Sequence, residues 1–258
     1  MLFVDTVRSE SARFVDALGT TEFDASVPCC PDWRAADLLW HLTEVQHFWG
    51  AIVEGLLDDP EGVPDLERPV DEELVDLFVD RSDRLVRALS DADPYDECWS
   101  WDTHGGGSVA WVARRQAHEA AIHRVDAEQA AGRDLSEITV DLAADGIDEA
   151  LSVQMSGIPD WAKFVPGGGT MELYATDADR PNGLEIGRMV GTSLASGRHY
   201  DLAVIEVRDH LSEPSTVVAA EAVPLYLWLW GRGGDESFSV DGDHALVGAL
   251  RSIAAESM

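Results

Sequence analysis

Three side chains of this sequence, His41, Glu119 and His123, are of the types that bind a divalent cation or move a proton. Glu119 and His123 stand four apart in "HEAAIHRVD", so on a helix they lie one turn apart and within reach of one ion. With each residue turned about 100° from the last, they share a stripe with Val112 and Asp126, beside Trp111 and Ile122. Arg114, Arg124 and Glu128 take the opposite face. His41 shares an apolar stripe with Leu38, Val45, Phe48 and Ile52, flanked by Leu42, and is expected to point into a core. His47 falls far round, with Thr43 and Glu54, and is expected to be exposed.

An inward carboxylate is the informative feature, because a buried charge must be paired or must coordinate a metal. Two imidazoles and one carboxylate with an open position form a catalytic zinc site. The same set with more open positions suits non-haem Fe(II). Plainer readings exist for each residue. A lone histidine on an apolar face is commonly a satisfied core residue, the spacing E-x-x-x-H is common, and Glu119 could simply pair with Arg115. Glu44, one turn after His41, is a spare ligand, as are His104 in a loop and His118, which sits about 100° off the Glu119 stripe.

The elements that must position these groups follow from periodicity and stop signals. Residues 2–18 read as a helix with Phe3, Val7, Phe14 and Leu18 on one side and Gly19 closing it. A second helix runs from about Trp33 to Leu57 with Asp32 as its N-cap, and "DEELVDLFVDRSDRLVRAL" is a third. The fourth starts at Ser108, an N-cap residue, and continues to Ala131, where Gly132 stops it. Four helices with modest connections predict an up-and-down four-helix bundle over residues 1–134. After it come a helix, "VDLAADGIDEALSVQM", and alternating runs typical of strands, "TMELYATD", "GLEIGRMV" and "YDLAVIEVRD". A buried helix in "AAEAVPLYLWLWGRGGD", a short strand "SFSVDGD" and a last helix "ALVGALRSIAAE" complete a smaller α+β domain over residues 135–258.

Composition narrows the function. An apolar share of 45% and a charged share of 26% are ordinary globular values, which excludes wholesale disorder. The net charge of −31 repels phosphate backbones, so nucleic acid is excluded as a partner. An anionic substrate would need a local arginine for the same reason. Cys29, Cys30 and Cys98 make neither a disulfide framework nor a structural zinc site. The N-terminus lacks a cleavable apolar core, and no run of about 18 apolar residues exists. A soluble, cytoplasmic chain without a membrane partner is expected.

The segments "CPDWRAADLLWHLTEV" around His41 and "RRQAHEAAIHRVDAEQAAG" around Glu119 and His123 resemble signature segments of the mycothiol-dependent maleylpyruvate isomerase family. That family sits within the wider DinB/YfiT-like group of four-helix metalloproteins. Further on, "LYLWLWGRGGDESFSVDGDHALVGALRS" resembles the family's C-terminal module. The resemblance implies a DinB-like bundle, a metal triad at His41, Glu119 and His123, and a functional, catalytic arginine at Arg232. It also implies a divalent metal, usually zinc, and mycothiol as thiol cosubstrate. The family's characterised isomerase adds the thiol reversibly across a cis double bond, lets the bond rotate and expels the thiol; related members look like thiol S-transferases. The expected function is therefore metal-dependent S-transfer or thiol-assisted isomerisation of a small electrophile, which could be anionic. A metal-binding stress or ligand-binding module without catalysis, and a metal-dependent hydrolase, are the alternatives. Taken by itself, Arg232 after an apolar helix would serve to neutralise the helix dipole. Its guanidinium would equally give an acidic protein a bidentate hold on a carboxylate.

Overall fold

The apolar stripe of the N-terminal segment winds Phe3–Leu18 into α1, with Val7, Phe14 and Leu18 buried and the Gly19 N–H closing the last turn on the Val15 carbonyl. A computed structural model describes residues 2–102 and 106–257, and the chain divides into two units, Met1–Glu137 and Ile138–Met258. His104 lies outside the described residues.

In the first unit a hairpin, β1 (Ser26–Val27) and β2 (Cys30–Arg34), precedes α2 (Ala35–Gly55). The sequence starts this helix near Trp33 with Asp32 as cap; in the structure Arg34 is the N-cap and its backbone N–H donates to Asp37 Oδ2 at 3.0 Å. Pairing of β2 with β1, and bonds from the Ala35 and Ala36 N–H groups to the Ala25 and Phe23 carbonyls, hold the chain extended for those residues. Helix α3 spans Leu74–Asp91 and α4 spans Val109–Ala130. The four contact one another in a ring: α1 packs on α4, α4 on α2, α2 on α3, and α3 on α1.

Helix α4 departs from the amphipathic reading. Its face opposite the Glu119 stripe is buried as well, with Arg124 at 0% and Glu128 at 4% exposure. That face meets α1, where Arg124 Nε donates to Glu10 Oε2 at 2.8 Å and Nη1 to Glu128 Oε2 at 2.8 Å. Charges that neutralise each other can be enclosed, so α4 is surrounded although its sequence carries polar residues all round. Ala117, Ala120, Ala121 and Ala127, all buried, let neighbouring helices come close. His47 is a second correction. It is 6% exposed rather than open to solvent, and its Nε2 bonds the Pro64 carbonyl at 2.8 Å, so the loop after α2 covers it.

The second unit begins with α5 (Val140–Glu149), prolonged by one π-helical stretch over Ala150–Gln154. A five-stranded sheet follows, made of β3 (Ala162–Ala175), β4 (Arg180–Thr192), β5 (His199–Arg208), β6 (Thr216–Ala220) and β7 (Ser239–Gly242). Their order is β5-β4-β3-β6-β7, antiparallel except for the parallel pair β3–β6. Strand β3 starts well before "TMELYATD", running through "PGGG" by means of a bulge between Pro166 and Gly169. At Gly168 a Cβ would stand 2.7 Å from the Ile186 carbonyl oxygen, so the close pairing with β4 requires glycine there. Helices α6 (Ala222–Leu229) and α7 (His244–Ser257) complete the unit, with α6 packed on α5. The chain is thus a mixed helix and sheet protein, with the long helices in the first unit and the larger sheet in the second. No helix among the described residues is long and apolar enough to cross a membrane.

Candidate metal centre

Helix α4 starts where its sequence says it should, with Ser108 Oγ accepting the Trp111 N–H at 3.2 Å. From that start Glu119 and His123 fall on the side facing α2, which carries His41. The two histidine Nε2 atoms meet on one carboxylate oxygen: His41 Nε2 is 3.4 Å and His123 Nε2 3.2 Å from Glu119 Oε1. The imidazole centroids are 4.8 Å apart and the ligand atoms of all three residues lie within 4.8 Å of one another. The three residues that the sequence singles out are therefore brought together from two helices.

The surroundings orient each donor. The buried carboxylate of Asp126 sits 2.9 Å from His123 Nδ1 and fixes a proton on that nitrogen, so Nε2 is the ring atom that faces the cluster and that a metal would take in exchange for its proton. Arg115, nearly fully buried, engages Glu119 Oε2 and leaves Oε1 towards the histidines. The Trp33 ring, from β2, lies 4.8 Å from the His41 ring and 6.3 Å from that of His123. Sequence reasoning gave Trp33 no role, although it stands within the "CPDW" segment just before α2.

Burial works against charge on Glu119, but Arg115, the bonds to His123 and His41 and the nearby His123 charge outweigh it and hold the carboxyl well below its ordinary range. Burial likewise opposes protonation of His123, yet its bonds to Asp126 and Glu119 raise it to about 9. Two imidazoles and a carboxylate that stays ionised are donors a divalent cation of the zinc or iron type accepts. The carboxylate behind His123 supplies the outer partner that such ligands use.

The spare candidates are placed elsewhere. Glu44 is exposed and outside the cluster. His118 is fully buried with its ring edge-on to Phe3 of α1 at 6.3 Å. Arg232 lies in the second unit, in the turn that ends α6. There Gly231, at φ +76°, gives its N–H to the Trp228 carbonyl, and the Arg232 N–H bonds that of Leu227 at 2.7 Å. This Schellman closure fixes the backbone of Arg232, and its Nη1 donates to the Trp230 carbonyl at 2.6 Å.

Over residues 4–128 the chain matches the model of the mycothiol maleylpyruvate isomerase N-terminal domain, and over residues 141–249 that of the MDMPI C-terminal domain. A crystal structure of the mycothiol-dependent maleylpyruvate isomerase is similar, with a TM-score of 0.58 and 13% identity over 93% of this chain and 91% of that one. The structure of a histidine-to-alanine mutant of the mycothiol-dependent maleylpyruvate isomerase gives a TM-score of 0.55 and 14% identity over the same shares. At these identities the likeness carries the fold. No curated protein matches the chain with comparable significance. The two domain models follow one another along nearly all of the sequence, and the chain belongs to the mycothiol-dependent maleylpyruvate isomerase family.

Proposed function

We propose that the chain is a divalent-metal-dependent enzyme in which His41, Glu119 and His123 hold the metal, zinc foremost, and mycothiol is the thiol cosubstrate. It would carry out S-transfer to a small electrophile or its thiol-assisted isomerisation. The observation that carries this reading is the convergence of both histidine Nε2 atoms on a single oxygen of Glu119. The ring of contacts among α1 to α4 supports reading the first unit as a DinB-like up-and-down bundle.

A divalent cation held by these donors would act as a Lewis acid and lower the pKa of a thiol at its open position, so that thiolate is present near neutral pH. The chain's own groups prepare for that. Asp126 keeps a proton on His123 Nδ1, Arg115 takes up one Glu119 oxygen so that the other faces the histidines, and Trp33 restrains the His41 ring. Arg232 is proposed as the guanidinium that holds a carboxylate of an anionic substrate, its backbone fixed by the turn after α6.

The test is spectroscopic. Cobalt(II) loaded into the metal-free chain should give a thiolate-to-cobalt charge-transfer band when mycothiol is added, and His123→Ala should show none. Cobalt uptake without a band would remove the thiol from the metal; no uptake would remove the metal centre. A second expectation concerns the outer partner. Asp126→Asn should lower metal affinity by about 10–100-fold in a chelator competition. Unchanged affinity would mean that the His123 ring is oriented without Asp126.

A further inference from the structure

We infer that a cavity beside Glu119 seats an aromatic ring carried by the electrophile; this rests on the reading of the metal centre as the place of thiol chemistry and names the substrate class as aryl-bearing. The cavity, of about 450 Å³, is walled by Val45, Phe48, Trp49, Trp99 and Trp101, with Glu119 in its polar lining. Its size is that of an ordinary small-molecule site. On α2, His41, Val45 and Phe48 follow at intervals of four and three residues and so share one face. From the proposed ligand His41 to Phe48 that face extends about 10 Å. Such a span suits an aryl group joined to a reacting carbon by a few bonds.

A plain core would be sealed, and these rings are not. Trp49 is 3% exposed and backs the others, whereas Trp101 stands 44% exposed and Phe48 and Trp99 are partly exposed. An open cluster of large apolar rings is the mark of a binding surface rather than of a satisfied interior. The rings also hold one another in place. Trp101 meets Trp49 at 5.2 Å and Trp111 at 5.1 Å, and Phe48 meets Trp99 edge-on at 5.7 Å. Contacts from α2, from α4 and within the segment between α3 and α4 therefore fix the ring orientations before a ligand arrives, which lowers the ordering cost of binding.

A ring inserted among fixed π systems gains offset or edge-to-face contacts worth more than its area alone. A saturated ring of the same size gains only the area. The cavity therefore selects for an aryl group. Charge is selected elsewhere. The polar lining is mixed, Glu44 and Glu119 with Arg115, and the divalent cation proposed beside Glu119 adds two positive charges. The end near the metal thus admits an anionic as well as a neutral substituent, in accord with the carboxylate hold proposed for Arg232.

The experiment is isothermal titration of the full-length, zinc-loaded chain, without thiol, against two pairs of probes matched in charge: cinnamate with 3-cyclohexylacrylate, and cinnamamide with 3-cyclohexylacrylamide. Matching keeps the metal and Arg232 from setting the order within a pair. The aryl member of each pair should bind about 3–10-fold more tightly. A merely greasy pocket would favour the cyclohexyl member, the more apolar of the two. Phe48→Leu combined with Trp101→Leu should bring each ratio to about one. Should the double variant melt early, Trp101→Leu alone, at a half-exposed position, should still about halve each ratio; the probe pairs on the unaltered chain are independent of both. An equal or reversed order in either pair on the unaltered chain would overturn the inference. So would failure of both aryl probes to bind, or a preference unchanged in both variants. Failure of the metal–thiol reading is separable, because it shows as a missing cobalt–thiolate band while the aryl preference persists. The reverse pattern, a band without the preference, removes the substrate class alone.

Discussion

Replacing Arg124 by Met should lower the stability of the chain by about 3–5 kcal/mol, read from the shift of the urea midpoint. The guanidinium is fully buried and joins α4 to α1 through Glu10, to Glu128 one turn on, and to the Ser136 carbonyl at 3.1 Å. Methionine fills most of the volume but leaves two enclosed carboxylates facing each other. Among the described residues Glu10 then keeps its bond to the half-exposed Arg13, and Glu128 keeps those from Ser136. The pH dependence follows from Glu128. Burial opposes its charge, yet Ser136 and Arg124 together hold its carboxyl below the usual range. A depressed pKa contributes stability above the unfolded value, lost as pH falls through the folded one. The deficit of Arg124→Met should thus be largest near neutrality and shrink in acid. Adding Glu10→Gln and Glu128→Gln should restore much of the loss, since a buried ionic group exchanged whole for neutral groups is nearly neutral in cost. A midpoint shift equivalent to less than about 1 kcal/mol would show that α1 and α4 are held by apolar packing alone.

This cluster also shows where the sequence stops being readable. Helix α4 and its inward pair were legible because both depend on local rules: a Ser108 cap, a Gly132 stop and a spacing of four. The Arg124–Glu10 bond joins residues 114 positions apart, and a helical wheel assigns such a face to solvent because it cannot see its partner. His47 was misplaced for the same reason, its cover being a loop carbonyl. Strand β6 was passed over because five residues, "TVVAA", carry too little alternation, and its place is set by pairing with β3. That Trp99 and Trp101 wall a cavity depends on their ring contacts with Trp49 of α2 and, for Trp101, with Trp111 of α4, which no local pattern announces.

Glu119→Gln should all but abolish metal binding and at the same time destabilise the metal-free chain by about 3 kcal/mol. The amide keeps the shape of the carboxylate but removes the charge on which both histidine Nε2 atoms and the buried Arg115 converge. Loss of a direct ligand should exceed the about 100-fold that loss of an outer partner can cost. The two effects separate by pH. Ionised Glu119, its carboxyl held low, stabilises the fold above its unfolded pKa of about 4.3, and that support is lost as pH falls through the folded value. Protonated His123, raised to about 9, gives stability that is fully present below about 6.5 and lost as pH rises through about 9. Metal must displace that proton, so affinity in the unaltered chain should climb by about one decade per pH unit and level off near pH 9. In Glu119→Gln one of the two carboxylates raising His123 is gone, so the levelling should move to lower pH although the plateau is far weaker. Chelator competition across the pH range reads both. If the variant instead keeps the metal within about tenfold and loses only stability, Glu119 is the counter-ion of Arg115 and no more, which is the plainer role its helical spacing always allowed.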